Sequence, residues 1–272
     1  MTSLRDADRP AAADAAILLP AGDRWHTPRS LSSLLLALLG VFLIGLSKAG
    51  FATGLGMLST PLVAQALPAR VAIGVVLPLL CFADVLTLGV YWRRWDSRLV
   101  VWPLAGALLG IGAATLFVTT ISELALRQSI GATGLALTVL LVVRNHFHPH
   151  AVYRPSPWHG VLVGVAAGFS STIAHAAGPI LALYLLAQRL EKTSFVATTG
   201  LFFTVNNLLK VPPYAATGLI DAATLDLSLR YAAAVPVGIA VGWWANRHVP
   251  QRHFDAIVAG LMILTSLELL LH

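Results

Sequence analysis

The chain has 272 residues, 57% hydrophobic and 11% charged, and a formal net charge of +6. Soluble domains carry about 25% charged residues, so this composition excludes an ordinary soluble domain and indicates a polytopic α-helical membrane protein. The apolar runs are continuous, which argues against a transmembrane β-barrel, and the basic residues are dispersed, which argues against nucleic-acid binding.

Residues 1–30 are polar and mixed in charge, and they predict a disordered N-terminal tail rather than a signal peptide. An apolar run over 31–67 follows, interrupted by Lys48. As a single helix it would be about 55 Å long, against a hydrocarbon core of about 30 Å. Its glycines therefore predict a break near Lys48, with helices over about 31–47 and 52–67.

A second apolar run, 160–188, repeats this arrangement, with His175 as its only titratable residue of potential positive charge. A break at Ser170–His175 predicts two helical pieces of about a dozen residues each, and Pro179 suits the first turn of the second piece. Broken or re-entrant helices are tolerated in a membrane only where they line a cavity or are covered by protein. The sequence leaves open whether either pair crosses fully.

The other predicted helices complete two similar halves. An ungapped shift of 123 positions gives nine identities over the 47 positions 45–91. Five segments per half make an odd number of crossings, so we expect inverted repeats over 31–143 and 159–272, joined by a linker at 144–158. The predicted fold is an all-α transmembrane bundle. Its remaining helices are expected at 70–92, 99–120, 124–143, 193–217, 226–246 and 252–271.

Basic loop residues predict the orientation of the chain. Nine lie on one side of the predicted bundle and three on the other, so the positive-inside rule places the first side in the cytoplasm and both termini outside. The nine are Arg93, Arg94, Arg98, Arg144, Arg154, Arg189, Lys192, Arg247 and Arg252, and the three are Arg70, Arg127 and Arg230.

Polar residues at the two breaks and in the segment 193–217 predict a site for an anion. A cation in hydrocarbon costs about 2.5–3.5 kcal/mol, so Lys48 and Lys210 either bind a ligand or reach an interface by snorkelling. Hydroxyl and amide groups are good anion donors, although they also serve helix packing. The predicted substrate-binding residues are Ser47, Lys48, Ser170, Ser171, Thr172, His175, Asn206, Asn207 and Lys210.

Asp84 and His175 are the candidates for proton coupling. Asp84 matches Asn207 under the shift of 123, and it can pair with Lys48 or Lys210, or carry a proton. An interhelical polar contact explains it equally well. His175 can titrate within the physiological range or remain neutral between packed helices.

Enzymatic and metal-binding alternatives have weaker support. Ser170 with His175 suggests an intramembrane hydrolase, but nothing identifies an oxyanion site. The histidines of 146–150 are better explained by a solvated loop than by a metal site, and the single cysteine, Cys81, excludes a cysteine cage. We therefore expect no catalytic residue, no metal and no cofactor.

The motifs of both halves resemble those of the sulfite exporter TauE/SafE family of bacterial membrane permeases, over residues 31–271. The resemblance implies export of sulfite, sulfoacetate and related anions, with proton coupling. The second break reads Ser-Ser-Thr-Ile-Ala-His without a dense glycine cluster, which leaves the anion open. A carboxylate, a metal cation and a neutral metabolite remain alternative solutes, and homodimerisation remains open. The motifs are Gly45-Leu-Ser-Lys-Ala-Gly-Phe51, Gly54-Leu-Gly56, Pro61, Tyr91-Trp-Arg-Arg-Trp-Asp96, Gly164, Gly168, Gly178-Pro179 and Thr198-Thr-Gly-Leu-Phe202.

Overall fold

The computed structural model describes residues 30–48, 55–146, 156–248 and 251–271. Most of the predicted tail, residues 49–54 of the first break and most of the histidine-rich loop lie outside these ranges. Every regular element within them is helical. The helices are α1 (Leu31–Lys48), a 3-10 turn (Leu55–Leu58), α2 (Ser59–Ala66), α3 (Ala69–Val90), α4 (Arg98–Thr120), α5 (Glu123–His146), α6 (Pro157–Ala174), α7 (Gly178–Leu186), α8 (Lys192–Ala216), α9 (Ala222–Tyr231), α10 (Ala234–His248) and α11 (Gln251–Leu271).

The predicted all-α membrane fold is confirmed. Among the described residues, α1, α3, α4 and α5 are long and apolar enough to cross a membrane, and the pair α9–α10 makes a fifth candidate span. That pair is bent by 41°, so the predicted segment at about 226–246 consists of two helices. The physical reason is Pro236, which has no amide hydrogen and would clash with the carbonyl of Ala232 in a continuous helix.

In the first half, α1 is described up to Lys48 and the 3-10 turn begins at Leu55, so the predicted break near Lys48 lies mostly outside the described residues. In the second half, the prediction of two equal pieces is wrong, since α6 has 18 residues and α7 has nine. The helix α6 begins early because Ser156 and His159 form a capping box ahead of Pro157. The last residue of α6 is Ala174, and the next residue, His175, has a left-handed φ of 52° that terminates the helix.

Helix packing in one half matches that in the other. Helix α1 packs against α10 as α6 packs against α4, while α3 packs on α8 and α5 on α11. Gly45 and Gly168, which the shift of 123 pairs, occupy matching contacts. A Cβ atom at Gly45 would meet the carbonyl oxygen of Val235 in α10, and one at Gly168 would meet that of Ala107 in α4. This agrees with a repeat, and the inversion of one half remains a prediction.

The crossing of α4 with α6 brings two backbones into contact. A Cβ atom at Gly106 would meet the carbonyl oxygen of Val161, and one at Gly164 would meet that of Pro103. Small residues four apart allow such close approach in membrane helices, where packing replaces the hydrophobic effect as the force between helices. The crossing fixes α6, and the C-terminal end of α6 carries the polar residues of the second break.

We predict that Gly106→Ala destabilises the protein because the added methyl group forces α4 away from α6. Overpacking costs about 1–3 kcal/mol, which corresponds to a Tm lowered by at least about 2 °C. Thermal unfolding of the detergent-solubilised chain measures this. Gly112→Ala is the matched control, because a Cβ atom at Gly112, in the same helix, has no neighbour within 4 Å. Equal shifts of Tm for the two variants would contradict the proposed packing role.

Candidate functional site

A cavity of about 120 Å³ lies between the two breaks. A single water requires roughly 10–15 Å³ of such volume, so the cavity has room for several waters or a small anion. Its walls come from α1, α3, α8 and the residues around both breaks. The lining residues are Ser47, Lys48, Gly56, Met57, Leu80, Thr87, Leu88, Tyr91, Ser171, His175, Gly178, Ala182, Phe195, Val196, Ala197, Thr199, Gly200, Phe203 and Asn207.

The cavity extends toward one end of the helix pair α3–α8. The part of α3 that lines it runs from Leu80 to the end of the helix, and the part of α8 runs from Phe195 to Asn207. Among the described residues, none before Leu80 in α3 and none after Asn207 in α8 contributes to the wall. The cavity therefore points toward the loop that contains Arg93 and Arg94, on the side that the basic residues predict to be cytoplasmic.

Lys48, the last residue of α1, is held at the cavity by two contacts. Its Nζ donates a hydrogen bond to Oδ1 of Asp84 in α3, and the two side chains are 13% and 1% exposed. The same nitrogen lies 5.1 Å from the ring centroid of Phe203 in α8, within the range of a cation–π interaction. A lysine that only snorkels to an interface would leave its ammonium group in water, so the structure favours a role inside the protein.

Asp84 joins the two halves of the chain. Its Oδ2 accepts a hydrogen bond of 2.7 Å from Nδ2 of Asn207, and both residues are buried. These are the two residues that the shift of 123 places at matching positions. The sequence left open whether Asp84 pairs with Lys48 or Lys210, and the structure pairs it with Lys48.

A second polar cluster lies behind the cavity wall, between α6 and α8. Lys210 is 0% exposed, and its Nζ donates to the carbonyl oxygen and to Oγ of Ser171, at 3.2 and 2.9 Å. Nδ2 of Asn206 donates to the same Oγ at 2.9 Å. Among the described residues, no carboxylate contacts Lys210. Its ammonium group is buried and does not reach an interface, and its hydrogen-bond partner Ser171 lines the cavity.

Two hydrogen-bonding groups of cavity residues have no partner among the described residues. His175 lies 3.1 Å, through Nδ1, from Oγ1 of Thr60 in α2, while its Nε2 is buried and unpaired. Oγ1 of Thr199 in α8 is also buried and unpaired. Buried polar atoms nearly always have partners, so these two atoms leave donor or acceptor capacity for a ligand.

Two matched tyrosines occupy opposite ends of the site. The hydroxyl of Tyr214 donates a hydrogen bond of 2.6 Å to the carbonyl oxygen of Thr172, and Tyr214 is fully buried. Tyr91, its counterpart under the shift of 123, lines the cavity instead. The cavity therefore borders the Tyr91 end of α3, whereas the Tyr214 end of α8 is hydrogen-bonded to α6.

The structure divides the predicted site residues into two groups. Five line the cavity, and four lie behind its wall, where Ser170 and Thr172 donate to backbone carbonyls of α6. Their roles in binding remain predictions. The lining residues are Ser47, Lys48, Ser171, His175 and Asn207, and the others are Ser170, Thr172, Asn206 and Lys210.

Some cavity residues were not among the sequence candidates. Thr199, Gly200 and Phe203 line the cavity together with Val196 and Asn207, at spacings of three and four residues along α8. Such spacing places side chains on one face of a helix. Counting from Asn207 toward the N-terminus in steps of three and four would have found this face from the sequence.

The hydroxyl of Ser170 and the ring of His175 are bound to other groups in the structure, and most of the histidines of 146–150 lie outside the described residues. Oγ of Ser170 donates to the carbonyl oxygens of Ala167 and Ala176, and the ring of His175 contacts Thr60, so Ser170 and His175 form no nucleophile–base pair. Within the described ranges, no group of three or more His, Cys, Asp or Glu side chains can hold a metal ion.

A protein-family model described as Sulfite exporter TauE/SafE matches residues 37–269, which is nearly the whole chain. No curated protein and no solved structure matches the chain. The matched region contains both breaks and every residue that lines the cavity.

We predict that a cysteine at position 199 is accessible from the side of the Arg93–Arg94 loop. In a Cys81→Ala background, Thr199→Cys should react with a membrane-impermeant thiol reagent at least tenfold faster than Thr138→Cys. Thr138 provides the matched control because it is buried in α5 and does not line the cavity. Labelling of vesicles of known orientation measures both rates. Equal rates, or reaction of Thr199→Cys from the opposite side alone, would show that the cavity does not open as described.

Proposed function

Because the chain belongs to the sulfite exporter TauE/SafE family, we propose that it is a secondary transporter that exports a small sulfur-containing anion. The substrate class is sulfite, sulfoacetate and related organosulfonates. The chain is a multi-pass membrane protein, and we place it in a bacterial inner membrane with both termini on the periplasmic side. Its task is passage of an intact solute, so no bond-breaking step is assigned to any residue.

The observation that carries this proposal is the position of Lys48 in the cavity wall. Lys48 places an ammonium group in the cavity wall, bound to Asp84, and Lys210 lies buried behind that wall. An anion in the cavity can accept a hydrogen bond from Lys48. Gly178, at the N-terminus of α7, also lines the cavity, where unpaired amides and the helix dipole favour negative charge.

The free hydrogen-bonding groups suit a sulfite or sulfonate group. Such a group presents three oxygens, which can accept from the ammonium of Lys48, the hydroxyl of Thr199 and the imidazole of His175 when its Nε2 carries a hydrogen. A metal cation would require free oxygen ligands. The carboxylate nearest the cavity is already bound to Lys48 and Asn207, which argues against a cation carrier.

Alternating access is supported by the unequal states of the two tyrosines. The hydrogen bond from Tyr214 to Thr172 joins α8 to α6 at one end of the site, while Tyr91 lines the cavity at the other end. We propose that transport exchanges these states, so that the Tyr91 end closes when the Tyr214 end opens. Proton coupling belongs to the same proposal, with Asp84 and His175 as the titratable groups at the site.

We predict that Lys48→Ala lowers sulfite affinity and flux at least tenfold. A hydrogen bond to a charged group contributes about 1.5–3 kcal/mol, which corresponds to about a 10-fold to 150-fold change in affinity. Sulfite binding to the purified chain and sulfite efflux from proteoliposomes measure the two effects. Arg230→Ala is the control, because Arg230 is an exposed cation outside the cavity.

Unchanged affinity and flux in Lys48→Ala would show that the proposed site is wrong. Competition assays test the substrate class separately. Sulfoacetate should compete with sulfite, whereas a divalent cation and a neutral metabolite should not. Competition by either of those two solutes, without competition by anions, would overturn the assignment.

We predict that Tyr214→Phe shifts the protein away from the described state, because the variant loses the bond to the carbonyl of Thr172. Thiol labelling of Thr199→Cys should then become at least twofold slower from the Arg93–Arg94 side. Tyr91→Phe is the matched control, since Tyr91 lies at the open end, and labelling should not slow in that variant. Identical behaviour of the two tyrosine variants would contradict a closing role for Tyr214.

A further inference from the structure

We propose that Asp84 is an internal competitor of the transported anion. In this view Asp84 neutralises Lys48 while the cavity is empty, and it takes up one proton when the anion displaces it from Lys48. The inference rests on the proposed function and deepens it, because it assigns proton coupling to one carboxylate and explains how that carboxylate senses substrate.

Lys48 is the only cation in the cavity wall among the described residues, and Asp84 already binds it. Both oxygens of Asp84 are engaged, Oδ1 by Lys48 and Oδ2 by Asn207 at 2.7 Å. An anion that enters the cavity therefore competes with Asp84 for the positive charge of Lys48. The ammonium group has two further N–H donors, but an anion bound to them lies beside the Asp84 carboxylate, and the repulsion between the two negative charges favours displacement and protonation of the carboxylate.

When the anion displaces Asp84 from Lys48, the ionised carboxylate stays buried with a single neutral partner, Asn207. An unpaired buried carboxylate is unfavourable, and protonation removes its charge. The proton comes from water at the open end of the cavity and binds one oxygen of Asp84, which becomes a carboxylic acid. The proton thus offsets one of the negative charges that the anion brings into the site.

Comparison of the two halves supports this role of Asp84, because the ion pair occurs in the first half and has no charged equivalent in the second. The shift of 123 pairs Lys48 with Ser171, and Asp84 with Asn207, so the corresponding positions of the second half are neutral. An amide therefore already occupies the counterpart of position 84 within this fold. Asp84→Asn is thus a substitution that the architecture accommodates, and it removes the titratable group with little change in shape.

Other titratable groups surround Asp84 on the helices packed against α3. Lys210 of α8 and Cys81 of α3 interact electrostatically with its charge. Helix α1 contributes Lys48, and α2 contributes no titratable residue. Glu123 of α5 contacts the first residue of α3, at the opposite end of that helix, and the Asp226–Arg230 pair of α9 is exposed. His175, at the end of α6, is the other cavity residue that can take a proton.

The test is calorimetric titration of the detergent-solubilised chain with sulfoacetate at pH 6.5–8.0, in pairs of buffers with different ionisation enthalpies. Both acidic groups of sulfoacetate are ionised at these pH values, since carboxyl pKa values are about 4, so any proton taken up belongs to the protein. We expect uptake of up to one proton per anion in the wild type. Its affinity should fall by up to tenfold per pH unit as pH rises.

Asp84→Asn should abolish the linked proton and make affinity independent of pH. It should also bind sulfoacetate at least tenfold more tightly than the wild type at pH 8, because the competitor has lost its charge. Asp226→Asn, the same change in an exposed ion pair, should behave like the wild type. His175→Asn should still take up a proton, since asparagine tolerates the left-handed backbone of residue 175.

The outcomes separate the two proposals. If the wild type binds neither sulfoacetate nor sulfite, the proposed function fails, and this inference fails with it. If the wild type binds sulfoacetate but Asp84→Asn keeps the linked proton, or loses affinity as Lys48→Ala does, only this inference is overturned. Loss of the proton in His175→Asn but not in Asp84→Asn would transfer the coupling role to His175.

Discussion

The whole site depends on how the protein holds a lysine away from water. An uncompensated charge in a membrane interior is unfavourable, so Lys48 needs a partner that the bilayer cannot provide. Asp84 supplies that partner and is in turn bound by Asn207 in the other half. One carboxylate thereby connects three helices, α1, α3 and α8. A change that moves any of these helices alters the electrostatic environment of the cavity, which is the coupling that a transporter requires.

The broken helices place Lys48 and His175 beside the cavity. Because α1 ends at Lys48 and α6 ends before His175, both residues lie at helix ends beside a cavity rather than along a continuous helix surface. Main-chain groups that lose their helical partners at such breaks are tolerated where protein or water covers them. The glycine contacts of α4 with α6, and of α1 with α10, hold the two broken helices in matching positions. Close backbone packing thus fixes the places where the charges lie.

The two halves differ at the charged and hydrogen-bonding residues of the site. Corresponding positions carry Lys48 and Asp84 in the first half, and Ser171 and Asn207 in the second. Likewise, Tyr214 is bonded to a carbonyl while Tyr91 faces the cavity. A repeated framework gives two related access routes, and unequal side chains give them different electrostatics. In the proposed transporter, the first property permits alternating access, and the second allows anion and proton to be bound together.

The sequence by itself determined the helical membrane class, the register of the repeat and the break at His175, because apolar run length, glycine and proline act through local backbone geometry. It also indicated that Asp84 and Asn207 correspond. Helical spacing places Thr199 and Phe203 on the same face of α8 as Asn207. Only the tertiary structure decided that this face lines a cavity, that Asp84 and Asn207 touch, and that Asp84 binds Lys48 and not Lys210. It also revealed the bend before Pro236 and the full length of α6. The reason is that the choice among partners depends on which helix faces approach one another, and a linear pattern of residues does not contain those distances.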